Sequence, residues 1–252
     1  GLLGEHLGHS FSPEIHKALG GYDYFLFEVA PEDLGKFMKE NALAGMNVTI
    51  PYKKAVIPYL DSLSPAAAKI GSVNTVVRRP DGSLMGDNTD YYGFRKMVEL
   101  AGIDVTGAKA IVLGDGGVAP TVRLALEDMG AREIVTISRR GENNYTNLEL
   151  HADAEIIVNT TPVGMYPDNG SAVISVGDFP ACRGVIDLIY NPLKTRLMLD
   201  AEELGIPVSC GLDMLVYQAA GAVTLFTGRD VADKKVLAYL EKLKTKQGNI
   251  VL

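Results

Sequence analysis

Six consecutive residues, Gly114-Asp115-Gly116-Gly117-Val118-Ala119, carry the spacing G-x-G-x-x-A. In such a turn the first glycine makes the tight bend, the second lets backbone approach a pyrophosphate, and the small third residue lets a helix pack on a strand. Gly114, Gly116 and Ala119 hold those places, with Gly117 and Val118 completing the turn. Further along, Ser138-Arg139-Arg140 sets one hydroxyl beside two guanidiniums. Guanidiniums suit a phosphate and an acidic side chain suits a ribose diol, so this triplet favours NADP over NAD, while Glu142 close behind keeps NAD open. A strand-to-helix turn with nothing bound would use the same glycines, and the flanking sequence decides between the two.

Four other segments concentrate polar side chains early in the chain. Ser10-Phe11-Ser12-Pro13 offers two hydroxyls, one of which is accounted for by capping a helix that starts near Pro13. Asn47-Val48-Thr49-Ile50-Pro51-Tyr52-Lys53 alternates Val48 and Ile50 on one face with Asn47 and Thr49 on the other, stops at a proline and delivers a lysine at the strand end. Gly71-Ser72-Val73-Asn74-Thr75 and Gly86-Asp87-Asn88-Thr89-Asp90 are turns dense in amides and carboxylates. Each alone has an ordinary use in local turn bonding or, for Lys53, in solvation. Four together, facing a nucleotide lobe, suggest a polyhydroxylated substrate. His6, His9 and His16 invite a metal reading, but zinc and iron need matched N, S or carboxylate ligands and no cysteine lies nearby. Ordinary turn and helix-face histidines, and no metal, are expected.

These groups need a frame. Ala110-Ile111-Val112-Leu113 is a short branched run of the kind buried on both faces of a parallel sheet. A helix is predicted from about Val118 to Met129, with Val122, Ala125 and Leu126 on its apolar face, Pro120 tolerated in the first turn and Gly130 as the stop. Glu133 to Ser138 reads as a second strand, so the glycine turn sits in a complete βαβ unit, the context the motif requires. Strands at Glu155 to Thr160, Val185 to Tyr190 and Pro207 to Cys210, with a helix from Thr195 to Leu204, fit a doubly wound sheet. Gly141 to Asp153 is turn-like, so the usual crossover helix is expected to be lost or reduced.

Ahead of this lobe the pattern predicts a separate α/β lobe. Its strands are Tyr24 to Val29 and Gly45 to Ile50, its helices Pro31 to Glu40, Lys53 to Leu60 and Pro65 to Ile70, and Val73 to Arg78 pairs with Leu84 to Gly86. Ser64 caps the third helix, and Thr89 or Asp90 caps a helix to Ala101 with Phe94, Met97 and Val98 inward. Met214 to Phe226 and Val231 to Leu243 close the chain as helices, the first apolar nearly all round and expected to wedge between the lobes, where a cleft would hold the site.

Composition sets the outer bounds. The 252 residues suffice for one large domain or two small ones, and 47% hydrophobic content with mean hydropathy +0.10 supports a sizeable core. The 24 basic and 31 acidic residues give a net charge of -7, which argues against a nucleic-acid surface and requires local groups to meet any anionic ligand. Cys182 and Cys210 read as buried thiols in a reducing compartment. With no signal peptide and no apolar run near the roughly 20 residues of a membrane span, a cytoplasmic location and no membrane partner are expected. The chain starts at Gly1 rather than methionine, which leaves open whether a few residues are missing or processed and whether the first strand is complete.

Nearly the whole chain resembles the shikimate dehydrogenase family. The resemblance rests on the segments from His9 to Pro13, Asn47 to Lys53, Gly71 to Thr75 and Gly86 to Asp90, on the glycine turn, on Asn159-Thr160-Thr161-Pro162-Val163-Gly164-Met165, and on the run from Gly211 to Ala220. It implies a two-lobed α/β fold in which residues 1–93, joined by the C-terminal helices of 214–252, bind substrate and carry catalysis, and residues 94–213 form an NADP-binding, Rossmann-like domain. It implies that Ser10 and Ser12 hold the substrate carboxylate, that Thr49, Asn74, Asp90 and Gln218 hold ring hydroxyls, and that Lys53 and Asp90 form the catalytic pair, within hydrogen-bond reach although 37 positions apart. Asn159, Thr160, Thr161, Gly211 and Met214 would line the cofactor and nicotinamide pocket, and Tyr190 would approach the substrate. The implied reaction is the NADPH-dependent, reversible reduction of 3-dehydroshikimate to shikimate, towards chorismate and the aromatic amino acids, by a monomer or homodimer.

Two departures bear on this. The segment after Arg140 is shorter than in many relatives, and Glu142-Asn143-Asn144 has no counterpart to the basic residue they often carry, which weakens the NADP preference. Helical residues between His16 and Tyr24 are few, so the first lobe is trimmed. Two rival readings stand beside the first: a quinate dehydrogenase using NAD, opposed by Ser10, Ser12 and the Arg139-Arg140 pair, and a nucleotide sensor without chemistry, which a missing Lys53 or Asp90 would have signalled.

Overall fold

Short apolar strands alternating with helices build two compact units, residues 1–92 with 216–239 and residues 93–215 with 240–252. The computed structural model describes residues 1–8 and 10–248. In the first unit the order is β1 (Leu2–Gly4), α1 (Ser12–Gly20), β2 (Leu26–Glu28), α2 (Leu34–Glu40), β3 (Gly45–Val48), α3 (Tyr52–Ala55), β4 (Ser62–Leu63), α4 (Pro65–Ile70), β5 (Thr75–Arg78) and β6 (Leu84–Asp87). One mixed sheet results, in the order β2-β1-β3-β5-β6-β4.

Proline sets several of these boundaries. Pro31 opens a single 3-10 turn ahead of α2, and Pro65 is the first residue of α4, whose Ser64 hydroxyl accepts from Ala67 N at 3.1 Å. The helix predicted over Lys53 to Leu60 is instead α3 followed by a 3-10 turn at Ile57–Tyr59, because Pro58 has no amide hydrogen with which to continue an α-helix. The Tyr24 to Val29 run yields only three strand residues. Leu34 and Met38, one turn apart on α2, are buried with Leu3, Met46, Val48 and Tyr52.

Register positions the polar segments. Strand β5 runs antiparallel to both β3 and β6, with Asn47 opposite Thr75 and Thr75 opposite Asp87. The end of β3, the start of β5 and the end of β6 therefore meet at one edge of the sheet. Next comes α5 (Thr89–Leu100), with Phe94, Met97 and Val98 fully buried. Asn88, not Thr89 or Asp90, supplies its capping oxygen, accepting from Tyr91 N at 3.3 Å, since Thr89 and Asp90 are drawn into other bonds.

In the second unit β7 (Lys109–Leu113), α6 (Ala119–Asp128), β8 (Glu133–Ile137), β9 (Ile156–Asn159), β10 (Gly184–Asp187), α7 (Arg196–Glu203) and β11 (Val208–Cys210) give an all-parallel sheet in the order β11-β10-β9-β7-β8. Ile111, Val112, Ile156 and Ile157 are fully buried, as strands covered on both faces require. Strand order reverses between β7 and β9, the switch point at which open parallel sheets take ligands beyond the carboxyl ends of their strands. The crossover from β8 to β9 is a loop ending in one 3-10 turn, Leu148–His151, as its glycine and asparagine content predicts. The last two helices are α8 (Gly211–Thr227) and α9 (Asp233–Gly248).

Of the three clustered histidines, His6 is exposed, His9 lies outside the described residues, and His16 belongs to an aromatic core. The His16 ring stacks on Tyr24 at 4.0 Å between centroids and lies 6.0 Å from Phe226, with Nδ1 2.6 Å from Tyr22 Oη. Burial pushes its pKa from the usual 6.5 down to about 3. As pH falls the unfolded chain takes up this proton before the folded one, so stability is expected to decline between pH 6.5 and about 3, by up to about 1.4 kcal/mol per pH unit. His16→Phe, which keeps a stacking ring, should flatten that part of the slope in urea unfolding at pH 7 and pH 5. An unchanged slope would mean that His16 titrates as it does in the unfolded chain.

Candidate active site

Thr49 is fixed where β3 ends: its N donates to Leu3 O at 2.9 Å and its carbonyl accepts from Tyr52 N at 2.8 Å. Buried Tyr52 donates its hydroxyl to Val29 O, and this anchors the turn that presents Lys53. The Lys53 carbonyl accepts from Val73 N at 2.8 Å, so the lysine is fastened to the segment carrying Asn74. Lys53 Nζ then donates to Asp90 Oδ2 at 2.5 Å, closing a separation of 37 positions. The two side chains are 27% and 13% exposed, sheltered from bulk screening yet open to a small molecule.

Asn74 is oriented by its neighbours. Its Oδ1 accepts from Thr89 N at 2.7 Å, Thr75 Oγ1 at 3.0 Å and Thr89 Oγ1 at 3.2 Å. With three donors on the oxygen the amide cannot be turned over, and no bond among the described residues engages Nδ2. The site edge thus offers an ammonium, a carboxylate and an amide donor.

The half-buried Tyr24 is tied to this edge through two buried groups, Asn47 and Thr75, and the serines lie ahead of it in the chain. Helix α1 begins at Ser12, one residue earlier than predicted, with Phe11 at the cap position and no side-chain cap; Ser10 Oγ instead accepts from Ser12 N at 3.2 Å. Tyr24 donates to Asn47 Oδ1 at 2.8 Å, and Asn47 Nδ2 donates to Thr75 Oγ1 at 3.0 Å. Sequence reading placed Asn47, Thr75 and Thr89 in its polar segments without giving them roles of their own, and it missed Tyr24 as part of the site. The available signal was Asn47, an amide in the middle of a buried strand that must find partners. Gln218 is half-buried on α8 in the same unit, whereas Tyr190 belongs to the second unit, half-buried, with burial raising its pKa.

In the second unit the glycine turn lies at the switch point. Gly114 has φ +100, and a Cβ there would lie 2.9 Å from Thr161 Cγ2 and 3.0 Å from Thr160 Oγ1, so only glycine fits. At Gly116 and Gly117 a Cβ would meet nothing within 4 Å, which leaves the backbone open to a ligand. Val118 is half-buried and Ala119 is buried under the strand. A cavity of about 480 Å³ opens here, lined among others by Gly114, Gly116, Ser138, Arg139, Thr160 and Thr161. Arg140 is exposed and does not line it, and Gly211 and Met214 are buried at the start of α8, also apart from it.

Asn159 lies beneath the cavity wall. It is fully buried, its Oδ1 accepts from Thr161 N at 3.0 Å and Thr161 Oγ1 at 2.7 Å, and its Nδ2 donates to Asp187 Oδ1 at 3.1 Å. Asp187, which sequence reading overlooked at the end of an apolar strand, also accepts from Ile189 N at 3.0 Å and Thr195 Oγ1 at 2.7 Å. Burial raises its pKa against the pull of these three donors. At Gly211 a Cβ would lie 1.9 Å from Leu188 O, so α8 can start there only on glycine.

A parallel sheet with a glycine turn at its switch point, opening on a cavity with a guanidinium on its wall, defines a dinucleotide-binding protein, here joined to a second α/β unit with its own polar site. Residues 2–76 match the family described as shikimate dehydrogenase substrate binding domain, and residues 211–238 match the shikimate 5'-dehydrogenase C-terminal domain. A Moorella thermoacetica protein named shikimate dehydrogenase (NADP(+)) is 39% identical, over 91% of this chain and 88% of its own. The crystal structure of a chorismate mutase/shikimate 5-dehydrogenase fusion protein from Clostridium acetobutylicum superposes with TM-score 0.92 at 35% identity, over 99% of this chain and 97% of the other. The Thermus thermophilus shikimate 5-dehydrogenase, solved with NADP(H) and shikimate, gives 0.84 at 33% identity over 96% and 97%. The chain belongs to the shikimate dehydrogenase family.

Asp187→Ala would leave Asn159 Nδ2, Ile189 N and Thr195 Oγ1 without their acceptor in a dry site. A loss of about 3 kcal/mol or more is expected in urea unfolding. A loss below about 1 kcal/mol would show that the three donors find other partners.

Proposed function

We infer that the chain is an NADP-dependent shikimate dehydrogenase, which reversibly reduces 3-dehydroshikimate to shikimate on the route to chorismate and the aromatic amino acids. The observation that carries this reading is the Lys53–Asp90 bond of 2.5 Å beside the oriented Asn74 amide, in the unit matched by the family's substrate-binding domain. We assign substrate binding and catalysis to residues 1–93 with the helices of 214–252, and NADP binding to residues 94–213.

NADPH, when bound, supplies the hydride. Addition of hydride to a ketone carbon leaves negative charge on its oxygen, and a proton donor must be aimed there as that charge develops. Lys53 is the donor in this reading, and Asp90 holds it in direction and accepts a neighbouring substrate hydroxyl. Oxidation of shikimate returns the proton to Lys53 and is favoured by alkaline pH. Asn74 Nδ2, Thr49 and Gln218 meet the ring hydroxyls, and Tyr190 approaches the substrate. Ser10 and Ser12 take the carboxylate, with Ser10 Oγ accepting from Ser12 N.

For the cofactor, the open backbone at Gly116 and Gly117 fits a pyrophosphate, with Gly114, Val118 and Ala119 shaping the turn. Ser138 and Arg139 fit the 2′-phosphate, and Arg140 adds exposed positive charge nearby, which favours NADP over NAD. Thr160 and Thr161 form the wall, Asn159 positions it, and Gly211 with Met214 serves the nicotinamide end. The buried free thiols Cys182 and Cys210 support a cytoplasmic site of action, as a monomer or homodimer.

Lys53→Ala is expected to lower kcat by about 100-fold or more while the Kd for NADP+ is kept, the pattern of lost acid-base work. A solvent-exposed ion pair would be worth at most about 1 kcal/mol of stability and its loss would leave turnover untouched, so wild-type kcat in a folded variant would overturn the assignment. Arg139→Ala should raise the KM for NADP+ far more than that for NAD+ in steady-state kinetics, and equal losses would remove Arg139 from the 2′-phosphate.

A further inference from the structure

The loop that stands in place of a crossover helix after β8 is braced by its own asparagines. Asn144 Oδ1 accepts from Thr146 N at 2.9 Å and Thr146 Oγ1 at 2.7 Å, Asn144 N donates to Asn147 Oδ1 at 2.8 Å, and Asn147 Nδ2 donates to Glu142 O at 3.0 Å. Asn143 ties the loop to the sheet: its carbonyl accepts from Ser138 N at 3.1 Å and its Oδ1 meets His151 Nε2 at 3.0 Å. This bonding fixes Tyr145, which sits between Asn144 and Thr146.

Tyr145 is half-buried and packs on the core cluster of the second unit together with Ala172 and Val173, and the same three residues line the 480 Å³ cavity that Gly114 and Arg139 border. Burial raises the pKa of its phenol, and Arg139 and Asp115 line the same cavity. The glycine turn accounts for a pyrophosphate and Arg139 for a ribose phosphate, and neither accounts for an aromatic ring that lines the same cavity with the apolar Ala172 and Val173. A flat heteroaromatic base is the partner such a ring fits, since every base has a π-face to stack.

We propose that Tyr145 is the stacking platform for the adenine ring of NADP, held in position by the asparagine-braced loop. The proposal rests on the reading that this cavity binds NADP. It makes the shortened segment after Arg140 a binding element, because a ring fixed by short side-chain bonds does the positioning that a crossover helix would do.

The test is titration calorimetry of the full chain with 2′-AMP, which carries the adenine and 2′-phosphate without the nicotinamide, and with NADP+. Wild type, Tyr145→Ala and Tyr145→Phe are compared, with thermal melting as the check on folding. Tyr145→Phe is expected to bind 2′-AMP within about twofold of wild type, and Tyr145→Ala to lose about tenfold or more for both ligands with an unchanged KM for shikimate. Should the alanine variant fail to fold, Tyr145→Leu, which fills the core but has no π-face, carries the same expectation. Wild-type affinity in the folded alanine or leucine variant overturns the proposal, as does an equal loss in the phenylalanine variant. Failure of wild type to bind either ligand sinks the cofactor reading itself.

Discussion

Three hydrogen bonds into one oxygen, Asn74 Oδ1, hold the polar edge of the first unit together. At 3% exposure Asn74 has little access to water, so protein donors must satisfy that oxygen, and they come from Thr75 at the start of β5 and Thr89 at the start of α5. A slip of β5 by one residue would turn Thr75 to the other face and deprive Asn47 and Asn74 of a partner at once. Strand register, helix start and amide orientation are thus a single constraint. The Lys53–Asp90 pair hangs from it, because Asp90 follows Thr89 in the chain and the Lys53 carbonyl is held by the amide of Val73, beside Asn74.

The second unit solves its problem by leaving side chains out. Gly114 lets the end of β7 pass against Thr160 and Thr161, and Gly211 lets α8 start against the Leu188 carbonyl. Space saved at these contacts lets the loops after β7 and β9 come together at the switch point, and the Asp187–Asn159–Thr161 bonds then fix the second of those loops. Electrostatics work locally. A chain of net charge -7 gains nothing from its overall field in binding an anion, so the guanidinium of Arg139 must stand on the cavity itself.

The two units therefore build their polar surfaces by different means. In the first, buried amides and hydroxyls satisfy one another around Asn47, Asn74, Thr75 and Thr89. In the second, glycines leave the backbone open at the switch point, where Arg139 and Tyr145 line the same cavity. Both designs depend on buried polar groups that satisfy one another, as the three donors on Asn74 Oδ1 and the bonds of Asp187 and Asn159 show.

The sequence alone determined the elements and their order, because apolar period, proline starts and glycine stops act over a few residues. It located the glycine turn, the parallel strands around it, the missing crossover helix and the polar segments at 10–12, 47–53, 71–75 and 86–90. It did not reveal that Asn88 caps α5, that α1 begins at Ser12, that α3 stops before Pro58, or that Tyr24, Asn47, Thr75 and Asp187 organise the sites. Those outcomes depend on which donor finds which acceptor once strands distant in the chain are paired. Local propensity cannot say whether Thr89 will cap a helix or fill a buried bond to Asn74, since both satisfy the hydroxyl. The choice was made by tertiary structure, where burial removes water as an alternative partner and leaves the arrangement that satisfies the most groups together.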